Sequence, residues 1–158
     1  HVSERIARVQ DFLGRRIAIE NVSSYASFAE SELTEWEFLS AVAERADCAI
    51  LLDVNNVHVS AVNHGFSAET YLAALPRERV VQLHIAGFSR GRELLLDTHG
   101  TAIDLAVWRL LELALERFGA LPLVLERDRN IPPLAELLDE ARKASALIAR
   151  RVTRDDSE

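Results

Sequence analysis

Cys48-Ala49-Ile50-Leu51-Leu52-Asp53-Val54-Asn55-Asn56 is the stretch whose reading decides the fold. Its apolar part is short and apolar at every position, as expected of a strand covered on both faces in a parallel sheet. It then runs directly into a carboxylate and two amides. Three more runs have the same form: Arg16-Ile17-Ala18-Ile19 into Glu20-Asn21, Val80-Val81-Gln82-Leu83 into His84, and Leu121-Pro122-Leu123-Val124-Leu125 into Glu126. A fifth short run, Leu94-Leu95-Leu96, leads into Asp97-Thr98-His99. Parallel α/β proteins bind their ligands outside the carboxyl ends of their strands. Five such ends bearing carboxylate, amide and imidazole point to one polynuclear metal centre.

Helical patterns fill the intervals. Val2, Ile6, Val9, Phe12 and Leu13 recur at helical spacing before Gly14. Thr34 and Glu37 form a capping box ahead of a stripe of Phe38, Leu39, Val42 and Ala46. Asn55 to Phe66 reads as a long loop, and Ser67 as the cap of a short helix that Pro76 ends. Asp104 caps a helix carrying Val107, Trp108, Leu111, Leu115 and Phe118, and Pro132-Pro133 opens a final one. The four strands, read as 16–22, 48–54, 79–85 and 121–126, alternate with helices, so the sheet is parallel with helical crossovers. No Gly-rich phosphate loop follows any strand, which disfavours an open nucleotide-binding sheet. The expected fold is a partial (β/α)8 barrel of about four βα units over residues 1–149, with 150–158 a frayed charged tail.

At 158 residues and 49% hydrophobic content, the chain has the size and apolar content of one ordinary domain. The net charge of −7 argues against a nucleic-acid partner. No apolar stretch nears the roughly 18 residues that span a bilayer, so no membrane is expected. The single Cys48 cannot form an intrachain disulfide or a thiolate zinc site, which fits a reducing cytoplasm. The chain begins at His1 and holds no Met, so it is expected to be processed or a downstream piece of a longer protein.

Asp53 with Asn55, and Asp97 with His99, are two residues apart and in extended backbone would share a side. Converging carboxylates repel and hold protons unless a cation is present. Oxygen and imidazole donors without thiolate suit iron or manganese, with zinc as an alternative. Each residue also has an ordinary role open to it. Asp53 to Asn56 could be an Asx turn, His84 a core histidine, and Glu126-Arg127-Asp128 a surface ion-pair cluster. Their occurrence at successive strand ends is what favours a shared site. His58 reads as a loop residue, His64 as a turn or outer residue, and Ser23-Ser24 lacks the glycine elbow of a nucleophile.

Five segments, Glu20 to Tyr25, Thr34 to Phe38, Leu52 to Val57, Ser60 to Phe66 and Asp97 to Gly100, resemble the multinuclear iron-dependent oxidases. That family includes the methanobactin-biosynthesis oxidase and relatives that modify cysteine in ribosomally made peptides. The resemblance covers about Ile17 to Leu138 and implies a xylose-isomerase-type barrel with two or three iron ions. It implies that Glu20 bridges two metals, that Asp53, His84 and Glu126 complete one of those sites, and that Asn55, Asp97 and His99 hold a further ion. Glu20, Asp53, His84 and Glu126 would then carry the catalysis. The family takes two more histidines from early strands absent here, so the chain resembles the C-terminal half to two-thirds of a member. Phe88 stands where relatives often have another histidine. The implied reaction is dioxygen-dependent oxidation of a cysteine in a precursor peptide that a small partner protein presents. The missing half of the barrel would come from a longer polypeptide or a second copy. Two other readings stay open: a divalent-metal isomerase or hydrolase on the same barrel, and a half-barrel that serves only as a binding module.

Overall fold

The apolar run at Cys48 forms a central strand, and the rest of the molecule is arranged around it. In the computed structural model, which describes residues 1–155, helix α1 (Val2–Leu13) leads into strand β1 (Ala18–Glu20), helix α2 (Glu35–Ala46) and strand β2 (Ala49–Asp53). Helices α3 (Val54–His64) and α4 (Ala68–Ala74) precede strand β3 (Val80–Ala86). A small hairpin of β4 (Ser89–Arg90) and β5 (Leu95–Leu96) comes next, then α5 (Leu105–Phe118), β6 (Leu123–Glu126) and α6 (Leu134–Asp155).

Strands β1, β2, β3 and β6 form one parallel sheet in chain order. Parallel neighbours need a crossover, and helices supply each one. The sheet thus advances one βα unit at a time, as in a partial (β/α) barrel of about four units. β2 is buried at four of its five positions, whereas β1 and β6, at the two edges, are more exposed. Behind the sheet, Ile50, Leu52, Leu83 and Ile85 pack with Val107, Trp108, Leu111 and Leu115 of α5. Among the described residues, no helix is long and apolar enough to cross a membrane.

The helix starts follow local chemistry. Thr34 accepts the Glu37 N–H and Glu37 reaches back to the Thr34 N–H, the expected capping box. Ser67 and Asp104 cap α4 and α5 as read from the sequence. Three readings need correction. Residues 55–64 are not a loop: Asp53 accepts the Asn56 N–H at 2.7 Å and starts α3 directly at the strand end. Nearly every face of α3 is buried, so it lacks the one-sided stripe that marks a surface helix. The run at Leu94 is not a fifth strand of the sheet. Leu95–Leu96 pairs antiparallel with Ser89–Arg90 in a separate hairpin. Finally, α6 continues past Arg150 to Asp155. Residues 156–158 of the expected tail lie outside the described residues.

Candidate metal centre

Strand register sets the site. Asp53 at the end of β2 lies level with His84 on β3, and Glu126 at the end of β6 lies level with Ala86 two residues further along β3. Glu20 ends β1 level with Leu51. All four therefore project from the carboxyl end of one sheet. Two groups of ligating atoms, each within 4.8 Å of one another, have the composition to hold a metal ion: Glu20 with Asp53 and His84, and Asp53 with His99 and Glu126. Asp53 is common to both. The resemblance implied that role for Glu20, which here belongs to one group.

Asp53 is held by its backbone. Asn21 donates from Nδ2 to the Asp53 carbonyl at 3.0 Å and accepts the Asp53 N–H at 2.8 Å. One Asp53 oxygen caps α3, while Oδ2 is buried without a hydrogen-bond partner among the described residues. The turn-forming role open to Asp53 is thus real, and it uses only one of the two oxygens. Glu126 stands between the histidines, with Oε1 at 2.8 Å from His84 Nδ1 and Oε2 at 3.1 Å from His99 Nδ1. Its neighbour Arg127 pairs with Glu140 at 2.9 Å instead.

Asp97 and His99 reach the site from the loop after β5. His99 takes a left-handed backbone, φ 48°, so the pair is not two positions of an extended strand. His99 Nε2 lies 2.7 Å from Asp97 Oδ1, and Nδ1 lies 3.2 Å from Asp128 Oδ2. Asn55, in the first turn of α3 and fully buried, donates to Asp97 Oδ1 at 2.8 Å. Asn55 also reaches the site without the extended geometry first assigned to it. Ser23 donates to Asp97 Oδ2, and the Tyr25 hydroxyl accepts the Asp97 N–H. All seven residues singled out in the sequence therefore lie around one cluster. A cleft of about 330 Å³, lined by Asp97, Thr98, His99, Asp128 and Arg129, opens beside it.

The electrostatics are those of a carboxylate-rich pocket. Burial pushes the Asp53 carboxyl up to about 7, and the charges of Glu20 and Asp97 add to this, against the Asn56 N–H bond and His99. Burial also raises Glu20, with Glu126 and Asp97 adding to it and His84 opposing. For His99, burial favours the neutral ring, but Asp97, Asp53, Glu126 and Asp128 together outweigh it and raise the pKa. The short contacts at His84 Nδ1 and His99 Nε2 do not lie along a hydrogen-bond direction, so both nitrogens stay buried without such a bond. Buried polar atoms are normally satisfied. Three that converge unsatisfied on a carboxylate cluster are what a cation would complete, and the residues fit a metal on that ground.

The sequence reading did not weigh Asn21 or Gln82. Asn21 follows Glu20 directly, and Gln82 lies two residues before His84 on the same strand face, with its amide 3.0 Å from His84 Nε2. His58 packs its ring 5.1 Å from that of buried Phe88. His64 ends α3 and meets Ser24 Oγ at 2.9 Å.

The family described as RiPP precursor modification enzyme MbnB/TglH/ChrH matches residues 1–149. The chain is 54% identical over 149 residues to a UPF0276 protein of Anaeromyxobacter sp. (strain Fw109-5), covering 94% of this chain and 53% of that protein. It is 52% identical over 143 residues to one from Rhizorhabdus wittichii, covering 90% and 51% of the two chains. A third, from Acaryochloris marina, is 47% identical over 150 residues, or 95% and 54%. The chain thus spans about half the length of the curated relatives it matches.

Proposed function

The chain belongs to the MbnB/TglH/ChrH family of RiPP precursor modification enzymes, and from that membership we propose that it carries the metal-binding half of an iron- and dioxygen-dependent oxidase acting on cysteine in a ribosomally made peptide. The supporting observation is the convergence of Asp53 Oδ2, His84 Nδ1 and His99 Nε2, buried and without hydrogen bonds among the described residues. Glu20, Asp53 and His84 would hold one ion, and Asp53, His99 and Glu126 a second. Asp97, which contacts His99, and Asn55, which donates to Asp97, are further donors for a second or third ion.

The donor set of oxygen and imidazole favours iron, with manganese or zinc as the competing metals. When bound, iron supplies open coordination positions and redox capacity for dioxygen and for a thiolate ligand. The protein's own part is to hold the ligands rigidly. Asn21 fixes the Asp53 backbone, and Ser23, Tyr25 and Asn55 fix Asp97. Cys48, the one thiol of this chain, is buried next to the opposite end of β2, so this chain itself brings no thiol to the site. A reducing cytoplasm suits this thiol and that of the peptide. The remaining barrel strands would come from a longer polypeptide or a second copy, and the open edges at β1 and β6 support this. A small partner protein would present the peptide.

The test is co-expression of the full coding sequence with a short cysteine-containing peptide encoded nearby, read by intact mass of the peptide. A mass change at the cysteine that requires both iron and air supports the reading. Turnover without dioxygen would move it to the isomerase or hydrolase class, and no metal uptake would leave a binding module.

A further inference from the structure

On β3, Gln82 and His84 leave the same face of the sheet, two residues apart. The Gln82 amide nitrogen, Nε2, lies 3.0 Å from His84 Nε2. The other ring nitrogen, Nδ1, faces Glu126 Oε1 at 2.8 Å and Glu20 Oε1 at 3.7 Å. Nδ1 therefore faces the acidic cluster and Nε2 faces Gln82. Nδ1 is buried and has no hydrogen-bond partner among the described residues.

A neutral imidazole has one N–H and one lone pair, and an amide can meet either with its carbonyl or its NH2 end. If the Gln82 NH2 donates to Nε2, the ring proton sits on Nδ1. It is then buried beside Glu126 Oε1 but off the hydrogen-bond direction, and blocks coordination. If the amide carbonyl accepts an Nε2–H, Nδ1 keeps its lone pair toward the carboxylates, where a cation satisfies it. The two arrangements differ by a half-turn of the amide, which leaves its shape in place, and the second is reached by that half-turn from the orientation with the nitrogen toward His84. The second leaves no buried donor unpaired, and metal-ligating histidines ordinarily donate their other N–H to a neighbouring acceptor.

We propose that Gln82 is a positioning residue for His84: its amide carbonyl accepts the Nε2–H and so fixes the tautomer in which Nδ1 offers its lone pair to a metal ion. The inference rests on the metal-centre reading above. Gln82 touches no reacting atom and acts through His84. An acceptor-only side chain at position 82 should serve as well as glutamine, and an apolar one should not.

The experiment uses the full protein, loaded with diamagnetic zinc and labelled with ¹⁵N-histidine, with His84 assigned by loss of its signals in His84→Gln. Nitrogen shifts distinguish protonated, lone-pair and metal-bound ring nitrogens. The expected result is a protonated Nε2 and a metal-bound Nδ1 in the wild type and in Gln82→Glu, with comparable zinc affinity. Gln82→Ala should bind zinc about 10–100-fold more weakly. A wild-type ring with its proton on Nδ1, or a Gln82→Ala protein with wild-type affinity and the wild-type signature, overturns the proposal. If the wild type takes up no zinc, the metal-centre reading fails. The tautomer is then read in the metal-free protein at alkaline pH, where Nε2–H supports the Gln82 assignment and Nδ1–H refutes it. The wild-type spectrum decides even where a variant fails to fold.

Discussion

Asn21 and Asp53 are joined by a reciprocal pair of hydrogen bonds across the ends of β1 and β2, with the Asn21 amide serving both the N–H and the C=O of Asp53. Both residues are buried, so no water replaces the amide if it is lost. The Asn21 carbonyl also accepts from Asn56 Nδ2 at 3.0 Å, which ties the clamp to the first turn of α3.

Asn21→Ala should therefore lower folding stability by about 1–3 kcal/mol, the cost of stranding buried backbone groups. It should also lower metal content, because Asp53, the proposed shared ligand, loses its fixed backbone. Urea unfolding and metal analysis check the two effects. Unchanged stability would mean that the clamp is dispensable.

Gly87 follows β3 where the chain passes against Thr101. A Cβ there would overlap the Thr101 carbonyl oxygen, and the Thr101 hydroxyl is itself held by the Phe88 carbonyl at 2.9 Å. Gly87→Ala should cost about 1–3 kcal/mol through forced backbone displacement. A denaturation midpoint equal to wild type would show that the strand end yields freely.

Glu35 sits beside the aromatic group of Trp36, Phe66 and Tyr71 and accepts the Tyr71 hydroxyl at 3.1 Å. Burial raises its carboxyl above the ordinary 4.5, against the Tyr71 bond and His64, which lower it. Folding thus favours the protonated form. The stabilising contribution is fully present below 4.5 and is lost as pH rises through the raised value. Glu35→Gln stays neutral and keeps an acceptor for Tyr71. The melting temperature of the variant relative to wild type should rise between acidic and neutral pH. A relative fall over that interval would reverse the assigned sign.

Among the proposed ligands, a carboxylate offsets cation repulsion in a low-dielectric pocket, whereas imidazole and amide carry no charge to do so. Bound iron should fall most in Glu20→Ala, less in His84→Ala and least in Asn55→Ala, measured after anaerobic purification. Equal and full retention in all three would make these residues structural.

The strand ends were legible because a wholly apolar run that stops at a charged residue has few other readings in a parallel sheet. Asp53 and Glu126 stand out for that reason, and His84 by following the mostly apolar run Val80-Val81-Gln82-Leu83. α3 was not legible. Asn55 and Asn56 are turn-forming residues with modest helix propensity, and Val57-His58-Val59 alternates as a strand does. Packing on nearly all sides outweighs those local preferences. The available signals were the capping ability of Asp53 and the glycine at 65, which takes φ 72° at the helix end. Leu94 to Leu96 reads as one more apolar run ending in candidate ligands, and its pairing in a separate hairpin is hidden because the partner, Ser89–Arg90, is only two residues long. Asn21 and Gln82 act through geometry that spacing suggests but only the assembled sheet reveals.

The central claim is that Asp53 is shared by two metal positions, and Asp53→Asn tests it most directly. The asparagine oxygen can still accept the Asn56 N–H, so the start of α3 should persist while the shared negative charge is removed. The measurement is the iron-to-protein ratio of the full protein by plasma mass spectrometry after anaerobic purification, with folding checked by circular dichroism. The predicted result is a folded protein that has lost most of its iron. A folded Asp53→Asn protein holding the wild-type complement of iron would contradict the account.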